Sequence, residues 1–224
     1  MRTGRMVAAA ALSASGVAVA LAPSAAQASS GTAMVSVVHG IPKVAVDVYV
    51  NNKLTLKHFT FDKVAGPLNL PAGSYSLAVR AAGAKATSAP LLKASLMLKA
   101  GENATVIAHL SAKGAPTLQA FADPTAMLAK GKARVIVRHL ADAPAVDVYA
   151  GTTKVVSNLS NAHQAVLVIP AGKVAISVDV AGTMKKVIGP ATFNFAAGTT
   201  TIVNAVGNAA TMPSTLTVAV QSYM

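Results

Sequence analysis

Three residue types recur in a fixed pattern one hundred positions apart: His39, Asp47 and Tyr49, then His139, Asp147 and Tyr149. A histidine with a carboxylate can act as a general base and its orienting partner, or as two ligands of a metal ion. A secreted hydrolase or metal-dependent enzyme built on this pattern would use His139 and Asp147, with Asp142 close by in sequence. A metal site would need further ligands, and the other histidines, His58, His109 and His163, do not recur at the repeat offset.

Strand geometry argues against either pairing. Val44, Val46, Val48 and Val50 alternate with Ala45, Asp47 and Tyr49, while Val135, Val137 and His139 alternate with Arg134 and Arg138. This is the period-two pattern of strands with one buried face. Pairing 34–39 with 44–50 through a four-residue loop sets position 39 against 44, 37 against 46 and 35 against 48. Val35, Val37, Val46 and Val48 then share one face, as burial demands. On this register His39 stands at the rim of the valine face, and Asp47 and Tyr49 point to the other side. The repeated residues are then expected to serve folding. His39 would cap a strand end by bonding loop backbone, Asp47 would accept N–H groups from a neighbouring turn, and Tyr49 would lay its ring over the sheet with a wet hydroxyl. No catalytic, cofactor-binding or metal-ligating residue is assigned on this reading, and no cofactor is expected.

Other chemistry is thinly represented. The chain lacks G-x-S-x-G, H-E-x-x-H, P-loop, G-x-G-x-x-G and calcium-loop patterns. Seven acids scattered along the chain offer no evident carboxylate pair for glycoside hydrolysis. With no cysteine there is no thiol nucleophile, no Cys-zinc site and no disulfide to staple an exported domain.

The elements that must position these residues are themselves repeated. Over 35–49 and 135–149, eight of fifteen positions are identical. Pro71-Ala72-Gly73 returns as Pro170-Ala171-Gly172 and Ala100-Gly101 as Ala197-Gly198, so the offset drifts only from 100 to 97. Solenoid periods run about 20–50 residues, and this unit is long enough to be a tandem domain. Turn residues punctuate short alternating segments throughout, which predicts an all-β sandwich or barrel. Strands are predicted near 34–39, 44–50, 53–57, 66–70, 74–80, 90–98, 103–110 and 116–122 in the first copy. The second copy follows at 133–139, 144–150, 153–158, 164–169, 173–180, 187–195, 199–206 and 214–222. Asn51-Asn52 suits a tight hairpin, and Gly73 and Gly172 suit turns that exclude a Cβ. The expected domains are 29–123 and 133–224, joined by a linker at 124–132 in which Thr125 to Ala129 could form one helical turn. So short a linker predicts that the copies touch, end to end or side by side.

Residues 1–28 are expected to be a signal peptide: Arg2 and Arg5, an apolar run from Met6 to Leu21, then Ala26-Gln27-Ala28 as the cleavage site before Ser29. No later segment has the roughly 20 apolar residues that span a bilayer. The product is therefore expected to be secreted, or held non-covalently at the cell surface. Without Arg2 and Arg5 the chain carries 17 basic residues against 7 acids, a net charge of +10 spread as single lysines. Nucleic-acid binders concentrate charge and interleave stacking aromatics. Here aromatics make up 4% of the chain and Trp is absent, so no nucleic-acid partner is expected. A solubilising surface accounts for the charge, and attraction to an anionic cell-envelope polymer or to another surface protein is the functional counterpart.

His39, the Ala45-Val46-Asp47-Val48-Tyr49 strand and Pro71-Ala72-Gly73-Ser74-Tyr75 together resemble the DUF4397 family of exported bacterial domains. The second copy matches with Arg138-His139-Leu140-Ala141-Asp142-Ala143-Pro144-Ala145-Val146-Asp147-Val148-Tyr149 and departs at Lys173-Val174, where the family's tyrosine is missing. The resemblance implies two tandem immunoglobulin-like β-sandwich domains behind a signal peptide, on a bacterial surface. It carries no catalytic or binding residues, because the family is named for its unknown function. The sequence therefore points first to a non-catalytic, envelope-associated adhesion or binding module, and second to the hydrolase or metal-dependent enzyme described above.

Overall fold

The computed structural model describes residues 31–224, and the expected signal peptide at 1–28 lies outside them. Sixteen strands make up the fold, with no helix among the described residues. The first copy holds β1 (Thr32–His39), β2 (Val46–Val50), β3 (Lys53–Phe59), β4 (Val64–Pro71), β5 (Gly73–Ala81), β6 (Leu92–Leu98), β7 (Asn103–Leu110) and β8 (Pro116–Asp123). The second holds β9 (Lys132–Asp142), β10 (Val146–Ala150), β11 (Thr153–Leu159), β12 (His163–Pro170), β13 (Gly172–Val180), β14 (Lys186–Phe195), β15 (Thr200–Asn208) and β16 (Thr217–Tyr223). Each predicted strand has its counterpart within a few residues.

The strands form four sheets of four, ordered β4-β1-β7-β8 and β3-β2-β5-β6 in the first copy, and β12-β9-β15-β16 and β11-β10-β13-β14 in the second. The fold is thus all-β, two sandwiches with identical connectivity. Each copy has the two-sheet architecture of an immunoglobulin-like sandwich, with its first and seventh strands paired in parallel.

The hairpin expected between 34–39 and 44–50 is not formed. β1 pairs with β4 and β7, while β2 pairs with β3 and β5, so residues 40–45 carry the chain from one sheet to the other. Burial is satisfied all the same: Ala33 and Val35 of β1 face inward from one sheet, and Val46 and Val48 of β2 from the other. Apolar faces need only meet, and meeting across a sandwich serves as well as meeting side by side. The Asn51-Asn52 hairpin is present, with φ of 48° and 63° and Val50 opposite Lys53. Gly73 and Gly172, at φ of 153° and 144°, turn the chain from the inner sheet into the outer one.

Expected one-sided burial fails for the central strands. β7 is buried at every position, and β9 and β15 at nearly every position. The cause is a third apolar layer in which Val38 and Ile107 of the first copy meet Leu140, Val206 and Ala219 of the second. The β1-containing sheet therefore packs against the β9-containing sheet, and the molecule is a four-layer stack with the β2 and β10 sheets outermost. Gly40 marks a close approach, since a Cβ there would lie 2.7 Å from Val206 Cγ1.

The helical turn expected over Thr125 to Ala129 is absent. Arg134 donates to the carbonyls of Pro124 (3.1 Å) and Ala126 (2.9 Å), and Tyr223 Oη–H donates to Pro124 O (3.1 Å). Side chains of the second copy thus take the carbonyls that a helical turn would have used.

Candidate functional site

The repeated histidine and aspartate occupy different sheets, and each is committed to its own loop. His39 Nε2–H donates to Val44 O at 2.9 Å, and the Ile41 amide reaches Nδ1 at 3.4 Å. His139 repeats this with Pro144 O at 2.8 Å. Both imidazoles are buried, and that burial holds them below the ordinary histidine range, against the pull of the loop carbonyls. They therefore brace the crossing from inner to outer sheet. The separation of His39 from Asp47 is as expected, but its cause is the sandwich and not the two faces of a hairpin.

Asp47 lies between Val46 and Val48 and so points away from the sandwich core, yet it is only 3% exposed. Its carboxylate accepts the His58 amide at 2.7 Å and the Gly83 amide at 3.0 Å. His58 sits at φ of 51° where the β2–β3 register slips, so its N–H has no ladder partner to use. One carboxylate thus closes a β-bulge and the turn after β5. Those amides, His58 first, hold the Asp47 carboxyl below the usual carboxylate range despite its burial. Asp147 does the same for Asn158 (2.8 Å, φ of 53°) and Gly182 (3.3 Å). It also takes Lys154 Nζ at 2.6 Å, and with Lys154 as the leading cause its carboxyl is held at about 2.

Tyr49 is buried, with the Arg80 guanidinium 4.7 Å above its ring. Tyr149 is half-buried, with Lys154 Nζ 5.7 Å from its ring centre. Asp142, the third residue of the enzyme reading, accepts Asn208 Nδ2 at 2.9 Å at the end of β9. His58 serves through its backbone, and His163 bonds within its own turn through Ser160 and Asn161. His109 donates Nδ1–H to Leu110 O at 3.0 Å and lies 3.2 Å from Gln119 Oε1, whose own amide reaches Ala162 O of the second copy. Among the described residues no group of three or more His, Asp or Glu is placed to hold a metal.

The alternation did not reveal a polar network buried where the two copies meet. Arg138 donates through Nη2 to Asp123 and through Nε to Gln164 Oε1 at 2.9 Å, and its guanidinium lies 4.3 Å over the Phe121 ring. Thr105 donates to Asp123 at 2.6 Å and receives Gln221 Nε2 at 2.6 Å. Tyr223 stands beside it, its phenol pushed up to about 12, chiefly by burial. Register places Arg138 where the first copy has Val38, Gln221 where it has Phe121, and Asn204 where it has Ile107. Positions at which the copies differ were the available signal, and they are the ones that face each other.

The DUF4397 family, a domain of unknown function, matches residues 33–149. No curated protein matches the chain. Among solved structures, a candidate cell adhesion protein from Bacteroides ovatus matches at 12% identity over 85% of this chain and 98% of that one. Its TM-score is 0.27, too loose a likeness to bear on fold or function. The family match spans more than half of the 224 residues and runs from the first strand to the second Asp-Val-Tyr segment, so the chain belongs to the DUF4397 family.

Proposed function

We propose that the chain is a non-catalytic exported binding module that attaches to the anionic cell envelope. The observation that carries this reading is the commitment of its repeated polar residues. Asp47 and Asp147 hold bulge and turn amides, and His39 and His139 hold loop carbonyls one sheet away. Duplicated residues so engaged explain a duplicated fold without a duplicated reaction. The leader sequence and the dispersed charge of +10 left after its removal supply the address and a long-range attraction to polyanions. The outermost sheets lie on opposite sides of the four-layer stack, so the two copies would engage separate polymer strands and link them. Linkage of this kind raises avidity without new contacts in either copy.

Retention on purified cell wall, measured by pull-down at low and high salt, tests the reading. Retention that weakens with salt is expected, because surface charges are screened within about 8 Å at physiological ionic strength. Absence of retention at both salt concentrations would remove the envelope from the account.

A further inference from the structure

The pairing of the two sandwiches creates a groove that neither copy has alone. One hollow of about 260 Å³ lies between β1, β4 and β7 of the first copy and β16 of the second. Another of about 210 Å³ lies along the linker as far as Arg134, with Asn103 and Tyr223 in the wall of both. Each alone is smaller than the about 300–1,000 Å³ of a drug-sized ligand pocket, so a ligand would lie along the wall that they share.

Asn103 lines both hollows, and its side-chain amide, which has no hydrogen-bond partner among the described residues, stays open to solvent there. Gln221, with Nε2 committed to Thr105, keeps a buried Oε1 without a partner. The Gln221 oxygen is closed off from the groove, and the Asn103 amide is the one left open to a ligand. The charged side chains nearby are already engaged. Asp123 is held by Arg138 and Thr105, and Arg134 by Pro124 O, Ala126 O and Thr200 Oγ1. A cationic ligand would therefore find Asp123 already paired with Arg138, and an anionic one would find Nη1 and Nη2 of Arg134 spent on neutral acceptors. The open amide of Asn103, which both donates and accepts, the hydroxyl of Ser36 and the flat ring of Tyr223 suit a neutral, hydroxyl-rich ligand. A sugar ring has such hydroxyls at its edge and an apolar C–H face to lay on an aromatic. A docking peptide strand is served less well, because Pro67 in the groove wall offers it no N–H.

We infer that the groove between the sandwiches binds a neutral saccharide segment. This rests on the envelope reading and names the part of the polymer that is recognised by contact and not by charge. The probe is the tetramer of β-1,4-linked N-acetylglucosamine, titrated calorimetrically into the purified chain, alongside retention on cell wall at high salt. Binding is expected with a Kd of about 1 mM or tighter, weakened about tenfold by Asn103→Ala. Met34→Trp, at a partly exposed position on the groove's rim, should block binding while leaving the melting temperature unchanged. No heat of binding, equal binding by both variants, or displacement by an extended peptide each overturns the saccharide assignment. If the tetramer fails to bind while the cell wall still retains the chain at low salt, the groove assignment falls and the envelope reading stands. If the tetramer binds and the cell wall retains nothing at any salt, the envelope reading falls and the groove stands.

Discussion

Arg138 of the second copy and Asp123 of the first form an ion pair that is fully buried where the two sandwiches meet. The arginine has no exposed side-chain surface and the aspartate 3%, so solvent screens neither. Burial pushes the carboxyl up and the guanidinium down, and each partner opposes the shift of the other. Removing one partner strands the other as an uncompensated charge. Arg138→Met is expected to cost about 3–5 kcal/mol, read from urea unfolding of the whole chain. Adding Asp123→Leu should recover much of that loss. A single mutant within about 1 kcal/mol of the parent would mean that the pair lets in water and does not hold the layers together.

Gly40 tests the same layer without charge. Leu140 fills the corresponding place in the second copy, fully buried in the apolar layer between the sheets. A side chain at 40 would meet Val206 Cγ1 at 2.7 Å and Ala108 O at 3.1 Å. Gly40→Val should therefore cost about 1–3 kcal/mol by overpacking. Because both sandwich cores remain intact, the variant should also split one thermal transition into two. Differential scanning calorimetry distinguishes this from a uniform loss in a single transition.

Of Asp47 and Asp147, only Asp147 is paired directly with a cation, because the Arg80 guanidinium in the first copy turns to the Tyr49 ring and the Ser88 carbonyl. Across the outer sheet Asp47 faces Arg80, whereas Asp147 faces Asp179, a like-charge pairing. Lys154, where the first copy has Leu54, supplies the missing cation. Lys154→Met should let the Asp147 carboxyl rise from about 2 toward its ordinary 3.8, as followed by NMR titration. The folded value is depressed, so Asp147 adds stability that is complete above the ordinary value and lost as pH falls through about 2. In Lys154→Met, acid unfolding should begin at higher pH. An unchanged acid midpoint would assign the low value to the Asn158 and Gly182 amides alone.

The sixteen strands were legible because alternation is a local property: every second residue of 44–50 is valine, whatever the strand pairs with. The partner of β1 was not legible, since Val35 meets its apolar neighbours equally well beside β2 or across from it. Nor was the second buried face of β7, β9 and β15. Arg134 and Arg138 read as solvent-facing because charge normally lies there, and only the opposing copy, with Asp123 and the Pro124 carbonyl, makes their burial tolerable. Nothing in the alternation marked Thr105 or Asn103 as part of a polar cluster between the copies. Their significance arises from Asp123, Gln221 and Tyr223, more than a dozen residues away in sequence.

The buried histidines give the fold a pH dependence of predictable sign. His39, His109 and His139 are each held below the ordinary value of 6.5, chiefly by burial, so the unfolded chain takes up protons that the folded chain refuses. Their contribution to stability is complete above 6.5 and is lost as pH falls through their lower folded values. Urea midpoints measured from pH 8 to 5 should therefore decline below about 6.5. His139→Gln keeps a donor for Pro144 O and cannot titrate, so its midpoint should decline less steeply than the parent's. The comparison is between variant and parent, because the raised Asp123 carboxyl acts in the opposite direction as the solution becomes more acidic. Parallel curves would mean that folding leaves the proton affinity of His139 unchanged, and a parent that declines less steeply than the variant would mean that the fold favours the charged imidazole. The Pro144 loop would then be held by an imidazolium, and its hold would strengthen on acidification.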